Sequence, residues 1–555
     1  MSIVKKRGRL STSIAMAVAM ACTTAAYAQE TTSSIRGNIS ASSGTVAGAT
    51  VTIIHTPSGS TKTSVTGAGG TYSTSGLRPG GPYTITVKAA GFPDVTLSDV
   101  FLSVGEPLSL PITLGGGSAG SVEEITIVAN QIMGDLTAGP STTMNRVDIE
   151  GVASVNRDIR DIARRDPFAS FNPITRGVSI AGQNNRTNRF AVDGVRFSDN
   201  FGLQQGGLPT TRGPVPLDAV EQMSVKIAPY DITEGDFQGG SINVVLRSGG
   251  NDFSGSTFYT FTDDSFTGDK TRGRPVNLNF ESKTWGGFLS GPIIEDKLFF
   301  AVSYEELDET NPASFGLAGA PNVVPNLSQS QLDNVASIAK GVYNYDTLGI
   351  RSVLPETDQK FTVKLDWNIN DSHRLSYTAI KQEGYLQSPG TGSNAAVSPA
   401  LNYTSYATNE PEEVSSQVLQ LNSDWTNDFS TEARVNFRDY AKVPSSLGEG
   451  GFSEFQVCLD PVSAGAIFQC AQTGTPRLFM GTERFSQADV VKQDQYGAEL
   501  VARYELGDHS LKAQVAYSGV EITNLFVNAA LGVYYFDSID AFQKKQASQL
   551  TWQYS

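Results

Sequence analysis

Lys360-Phe361-Thr362-Val363-Lys364-Leu365-Asp366-Trp367-Asn368-Ile369 carries apolar and polar residues in strict alternation. Successive side chains of a β-strand point to opposite faces, so Phe361, Val363, Leu365, Trp367 and Ile369 share one face and the five polar residues share the other. Asn370-Asp371-Ser372-His373 then reads as a turn, and Leu375 and Tyr377 alternate with Arg374, Ser376 and Thr378, which predicts a hairpin. The design repeats. Leu419, Leu421 and Trp425 lead through Thr426-Asn427-Asp428 to Ala433, Val435 and Phe437, set against Glu432, Arg434, Asn436 and Arg438. Tyr496, Ala498, Leu500, Ala502 and Tyr504 turn at Gly507-Asp508-His509-Ser510 into Leu511, Ala513, Val515 and Tyr517. In a transmembrane barrel the apolar face meets lipid, the polar face meets the lumen, and a spanning strand needs about 9 to 11 residues. Short turns here alternate with long polar stretches at about 308–356, 382–413 and 441–493, matching the short periplasmic turns and long external loops of outer-membrane barrels.

Composition agrees with a β-rich chain. The 555 residues include 55 Gly, 19 Tyr and 28 Phe but only 3 His and 3 Cys, a balance of turns and strands rather than of a metal centre. At roughly 100 to 200 residues per domain the length allows about three units. No run of 18 apolar residues exists, so no helix is expected to span a bilayer. The net charge of -15 lacks the basic footprint of a nucleic-acid binder.

The N-terminus points to export. Lys5, Lys6, Arg7 and Arg9 precede an apolar core from Ile14 to Cys22, and Ala26-Tyr27-Ala28 forms a small-x-small cleavage site before Gln29. Residues 1–28 are therefore expected to be a signal peptide cut between Ala28 and Gln29. Ala19 stands where a lipoprotein signal usually has Leu, which argues against anchoring through Cys22. Removal takes away four positive charges and no acids, moving the net charge from -15 to -19. It leaves Cys458 and Cys470 as a pair in an oxidising compartment, where a disulfide is expected. His55, His373 and His509 are too scattered to complete a zinc site.

Residues 29–114 read as a small β-sandwich. Ser34-Ile35-Arg36-Gly37, Ala49-Thr50-Val51-Thr52-Ile53-Ile54 and Tyr83-Thr84-Ile85-Thr86-Val87 are strands, separated by turns such as Gly67-Ala68-Gly69-Gly70 and Pro79-Gly80-Gly81-Pro82. Gly48-Ala49-Thr50-Val51, Gly70-Thr71-Tyr72, Leu77-Arg78-Pro79-Gly80, Tyr83 and Gly91-Phe92, in that order, resemble the carboxypeptidase regulatory-like domain. Nothing resembles the zinc ligands of the enzymes that lend the module its name, so no activity follows from it.

A Gly/Ser linker opens the next segment, 115–129, and Val122-Glu123-Glu124-Ile125-Thr126-Ile127-Val128 follows as a short β-prone stretch. An extended strand on a flexible tether suits pairing with another protein's sheet edge. Glu124, Ile125, Thr126, Ile127 and Val128 resemble the TonB box, the segment of a TonB-dependent receptor gripped by the energy-transducing protein TonB. Residues 130–250 come next. Asn156-Arg157-Asp158-Ile159-Arg160-Asp161-Ile162-Ala163 has helical spacing ended by Pro167, Arg189-Phe190-Ala191-Val192-Asp193-Gly194-Val195 gives a strand and an Asp-Gly turn, Leu217 to Val225 suggests a helix and strand, and Gly239-Gly240-Ser241-Ile242-Asn243-Val244 closes the region. These blocks resemble the plug of TonB-dependent receptors, especially the Oar-like group with a regulatory-like domain in front. Gly291-Pro292-Ile293-Ile294-Glu295-Asp296-Lys297-Leu298-Phe299-Phe300 resembles the early barrel hairpin of the same group.

The expected architecture is thus mainly β: a sandwich, an α+β plug, and at 251–555 the first part of a large antiparallel barrel. About nine strands are legible after residue 251, with a tenth near Val533 to Phe536, whereas such transporters have 22. The sequence is expected to be an N-terminal piece, with the barrel continuing beyond it. The resemblance implies a TonB-dependent receptor of the Gram-negative outer membrane, partnered by TonB and outer-membrane lipid, importing a scarce small or oligomeric substrate. Siderophore, carbohydrate, peptide and vitamin all remain open, and no substrate-binding residue is assigned. The alternative is an adhesion or protein-interaction role of Oar type. No Ser/His/Asp, Cys/His or metal constellation suggests an enzyme, and no cofactor is implied.

Overall fold

The computed structural model describes residues 30–115, 123–124 and 141–554, apart from 153, 155, 173–174, 201–205, 236, 269, 272–273, 276–278, 461–469, 471–473 and 507–508. The cleavage site at Ala28 and Gln29 and the box residues Ile125, Thr126, Ile127 and Val128 lie outside the described residues.

Nine strands in sequence order form one antiparallel meander: β1 (Ser254–Asp263), β2 (Glu281–Ile294), β3 (Leu298–Pro312), β4 (Val353–Asn370), β5 (His373–Ser388), β6 (Thr408–Asp424), β7 (Phe429–Lys442), β8 (Asp489–Leu506) and β9 (His509–Phe526). Its exposure is the reverse of a soluble sheet. Along β4, Phe361, Trp367 and Ile369 are exposed while Glu356, Asp358, Lys360, Thr362 and Asp366 are buried. Register carries the apolar row around the wall: Phe300 pairs with Leu365, Leu365 with Tyr377, Tyr377 with Leu419, Leu419 with Val435, and Val435 with Ala498. From Phe361 to Ile369 the row runs roughly 27 Å along the strand, and a tilt of roughly 40° leaves it close to the apolar band of an outer-membrane barrel.

Two expectations need correction. Most strands are longer than a bilayer requires, 14 to 18 residues for β2 to β9, and run past the apolar band into the stretches read as loops. Ladder hydrogen bonds continue where both faces are polar, so alternation stops before the strand does. Val533–Phe536 is not a barrel strand. It pairs in parallel with Glu454–Cys458 in a separate sheet completed by Ala400–Asn402, Arg477–Met480 and Gln549–Thr551. That sheet packs on the helix Gln329–Tyr343, whose start is set by a capping box between Ser328 and Gln331. Leu332, Val335, Ile338, Phe455, Val457, Phe536 and Phe542 give this unit its own core at the long-loop end. Cys458 and Cys470 are bonded there, with Cα atoms 5.7 Å apart.

Inside the barrel sits a mixed domain. Its sheet runs Ser141–Asn145, Val220–Lys226, Ser241–Leu246, Arg189–Val192, Val195–Arg196, and the helices Arg146–Glu150 and Ile159–Ala163 flank it. The helix expected from Leu217 is a single 3-10 turn, Leu217–Ala219, because the strand beginning at Val220 follows at once. At the short-turn end lies the sandwich. One sheet holds Ser33–Ala41 and Thr71–Leu77, the other Thr50–His55, Thr61–Val65, Gly80–Lys88 and Val95–Leu102, and Ile35, Ile39, Val51, Ile53, Ile85, Val87 and Leu97 fill the space between them.

The lipid face can be tested at mid-height. Val435→Lys should destabilise the barrel by about 2–4 kcal/mol in lipid vesicles, as read by urea unfolding, because the ammonium would sit in hydrocarbon.

Candidate functional site

Because the barrel turns its apolar residues outward, its lumen is lined with charge, and the luminal domain meets that charge residue by residue. Toward the long-loop end, Glu356 of β4 receives two arginines: Arg212 Nε lies 2.8 Å and Arg176 Nη1 3.0 Å from Oε1. Arg157 Nε lies 3.2 Å from Glu305 Oε2, and its Nη2 3.0 Å from Asp218 within the luminal domain. Lys360 Nζ lies 2.8 Å from Glu305 and 3.2 Å from Asp358, three groups almost wholly enclosed. Lower down, Lys364 Nζ reaches Asp193 Oδ2 at 3.0 Å, and Thr378 Oγ1 donates to the same oxygen at 2.9 Å.

Local structure holds these partners in place. Asp158 caps the helix Ile159–Ala163 by accepting from the Arg160 backbone N–H, and it also grips the Arg160 guanidinium through Nε and Nη2. Arg160 donates onward to the carbonyls of Arg176 and Thr211, so one buried pair sets the two chain segments that bear Arg176 and Arg212. Burial alone would raise the Asp158 carboxyl, but Arg160 outweighs it and holds the group well below the usual carboxylate range. At the Asp193-Gly194 turn both residues have positive φ, 43° and 78°, and a Cβ on Gly194 would lie 2.3 Å from Arg434 Nη1. The positive φ favours glycine there, and a side chain would have to push the buried Arg434 guanidinium aside.

The short-turn end carries a second set of contacts. Lys62 of the sandwich pairs with Asp424 at 2.5 Å, Arg78 Nη2 donates to Asn368 Oδ1 at 3.1 Å, and Ser75 and Ser430 hydroxyls are 2.8 Å apart. The sandwich also binds the luminal domain: Gln222 Nε2 donates to the Leu102 carbonyl and its Oε1 accepts from Val104 N–H. Glu30 and Thr31 pass between barrel and luminal domain. Lys512 Nζ lies 2.7 Å from Glu30 Oε2, Arg503 also binds this carboxylate, Asn243 Nδ2 donates to the Glu30 carbonyl, and Arg434 Nη2 donates to Thr31 Oγ1. Burial by itself would raise the Glu30 carboxyl, yet Arg503 and Lys512 outweigh it and hold it down at about 2. His55, bonded to Ser58, is pushed down to about 3 by burial and then by Arg78 and Arg374, so it stays neutral.

Of the residues singled out in the sequence, Cys458 and Cys470 are far from this interface, in the outer unit. The backbone of Glu123–Glu124 pairs in parallel with Val95–Thr96 at the edge of the sandwich. Among the described residues no three His, Cys, Asp or Glu side chains converge as a metal site. The luminal arginines and the carboxylates they meet escaped sequence reasoning. Alternation places Glu305, Lys360 and Lys364 on the inner face, but nothing in the sequence says that Arg212 meets Glu356 across 144 positions.

Residues 34–115 match the carboxypeptidase regulatory-like domain, and residues 245–347 match an outer membrane beta barrel domain. The chain is accordingly a β-rich outer-membrane protein that joins these two domains. It is homologous to the TonB-dependent transporter Oar of Myxococcus xanthus, with 28% identity over 162 residues, 28% of this chain and 14% of that protein. Solved structures of similar arrangement include the outer membrane transporter YddB from Escherichia coli, with TM-score 0.49 and 10% identity, covering 71% of this chain and 50% of that one. The siderophore receptor PirA from Acinetobacter baumannii has TM-score 0.42 and 15% identity, covering 69% and 48%. The chain spans about half the length of these solved structures.

Two tests follow from the interface. Glu356→Gln strips the carboxylate from Arg176 and Arg212; breaking a buried pair costs about 3–5 kcal/mol, and the lower end applies because Arg176 is partly exposed. The luminal domain should become accessible to trypsin at a correspondingly lower urea concentration. For Glu30 the bound state has the lower pKa, so its contribution is complete above its ordinary value of 4.5 and is lost as pH falls from there through about 2. Acidification across that range should speed proteolytic release of the sandwich, and Glu30→Gln should do the same at neutral pH.

Proposed function

We propose that this chain is a TonB-dependent receptor and transporter that takes up a scarce substrate across the outer membrane. The observation that carries the reading is the polar seat of the luminal domain. Its core of Ile159, Ile162, Phe190, Met223, Val225 and Val244 is apolar and largely its own, whereas its bonds to the barrel wall are ion pairs and hydrogen bonds. Water can replace such bonds one by one, at a net cost far below that of exposing an apolar interface of the same size. A domain attached in this way fills the pore firmly and can still be displaced as a unit, which is what a gated plug needs.

Displacement requires work, and the outer membrane holds neither ATP nor a maintained ion gradient. In this reading the work arrives from the inner membrane through TonB, pairing with Glu124, Ile125, Thr126, Ile127 and Val128 as an added strand and pulling. The assignment of 1–28 as signal peptide, 115–129 as box-bearing linker and 130–250 as plug belongs to the same proposal. Substrate would enter from the long-loop side, meet the upper surface of the plug, and leave on the side of the short turns. The homologous Oar is named as a TonB-dependent transporter, which favours the same assignment.

One feature favours a second reading, adhesion. The outer unit around Gln329–Tyr343 has its own apolar core and a disulfide, a rigid build suited to contact with another surface. The two readings separate at the box. Proline removes the backbone donor that strand pairing needs, so Ile125→Pro or Ile127→Pro should abolish retention on the immobilised periplasmic domain of TonB and the growth that depends on uptake, while surface binding persists. Glu123→Ala should do much less. Full uptake with proline at both positions would exclude import driven through this segment, and an adhesin would lose nothing in either variant.

A further inference from the structure

We propose that the N-terminal sandwich is a second closure of the pore: a latch across the periplasmic mouth that must leave before the plug can move. The inference rests on the import reading above and concerns the order of events within it.

The sandwich runs along the short-turn rim of the barrel wall and grips its turns one after another. Pro57 accepts from the Asn251 backbone ahead of β1, and Asn251 in turn holds Asp296 in the turn between β2 and β3. Arg78 reaches Asn368 and Asp366 at the end of β4. Lys62 meets Asp424 at the end of β6, and Ser75 meets Ser430 at the start of β7. Below the plug, Gln222 is clasped by the backbone of Leu102 and Val104. The Glu30 and Thr31 strap wedges between the plug residue Asn243 and the wall residues Gln420, Arg434, Arg503 and Lys512. One body thus holds both the plug and the short-turn rim.

Chain order then sets the sequence of release. The box lies between the sandwich, whose last strand ends at Leu114, and the first plug strand at Ser141. From Leu114 to Glu124 the chain reaches at most about 35 Å, and from Val128 to Ser141 about 45 Å. The shorter tether tightens first, and Glu123–Glu124 already lies against the sandwich edge strand, so a pull on the box loads the sandwich before the plug. The rim contacts are polar and few at each turn, which lets them part in sequence.

Ser75 and Ser430 offer a near-isosteric lock, since their hydroxyl oxygens are 2.8 Å apart. Ser224 is fully buried on the plug sheet face where Gln222 meets the sandwich and Asn243 meets Glu30, so it is uncovered when the sandwich leaves and serves as reporter when changed to cysteine, while the bonded Cys458 and Cys470 stay silent toward maleimide. In cells carrying Ser224→Cys in the otherwise intact chain, maleimide labelling at residue 224, read by mass spectrometry, should rise several-fold with an energised inner membrane over protonophore-treated cells. Adding Ser75→Cys and Ser430→Cys under oxidation should hold labelling at the protonophore level, and prior reduction should restore it. Lys62→Glu, which sets like charge against Asp424, should raise labelling of a lone Ser75→Cys in unenergised cells several-fold. Energised labelling that is equal in locked and unlocked chains would overturn the latch and leave import standing. No energy-dependent labelling in the unlocked reporter would remove import, and the latch with it.

Discussion

Each strand of the barrel gives its apolar side chains to lipid, and a strand has only two faces, so Glu305, Glu356, Asp358, Lys360 and Lys364 are left pointing into the lumen. Bare, that lumen would be a water-filled channel. Filled by protein, it demands a partner for each charge, because an unpaired ion shut away from water costs several kcal/mol. The luminal domain therefore had to be studded with Arg157, Arg176, Arg212 and Asp193 at positions matched to the wall. Its polar seat follows from the membrane outside.

The same constraint explains why the parts remain separable. Apolar burial is concentrated within units: the sandwich between its two sheets, the luminal domain between its sheet and helices, and the outer unit around Val335, Phe455 and Phe542. Between units the bonds are ionic or hydrogen-bonded, with exceptions such as Ile380, Val414 and Val418, where the wall lends a few apolar residues to the luminal core. Stability thus resides within each body, and the joints between bodies stay hydratable. A transporter that must open without unfolding needs that division.

The alternation of 360–369 and its repeats made the barrel legible, since a period of two needs no knowledge of the partner strand. The sandwich was legible for the same reason, helped by its Gly-rich turns. Strand ends were not, because a ladder persists where both faces are polar, as in β8 over Lys492, Gln493, Asp494 and Gln495. Val533–Phe536 misled because a short aromatic run looks alike in a lipid-facing wall and in a small packed sheet; its parallel partner Glu454–Cys458 lies some eighty positions away and decides the matter.

By itself the sequence determined which faces are apolar, where the chain turns tightly, and that Asp193-Gly194 must bend as it does, all of them properties written within a few neighbouring residues. Tertiary structure alone decided which charges meet. Glu356 takes Arg176 and Arg212, Asp193 takes Lys364, and Glu30 takes Arg503 and Lys512 across 473 and 482 positions. A charged residue accepts any opposite charge brought within reach, so its own neighbourhood in the chain cannot name its partner, and only the packing of the barrel wall against the luminal domain brings the two together.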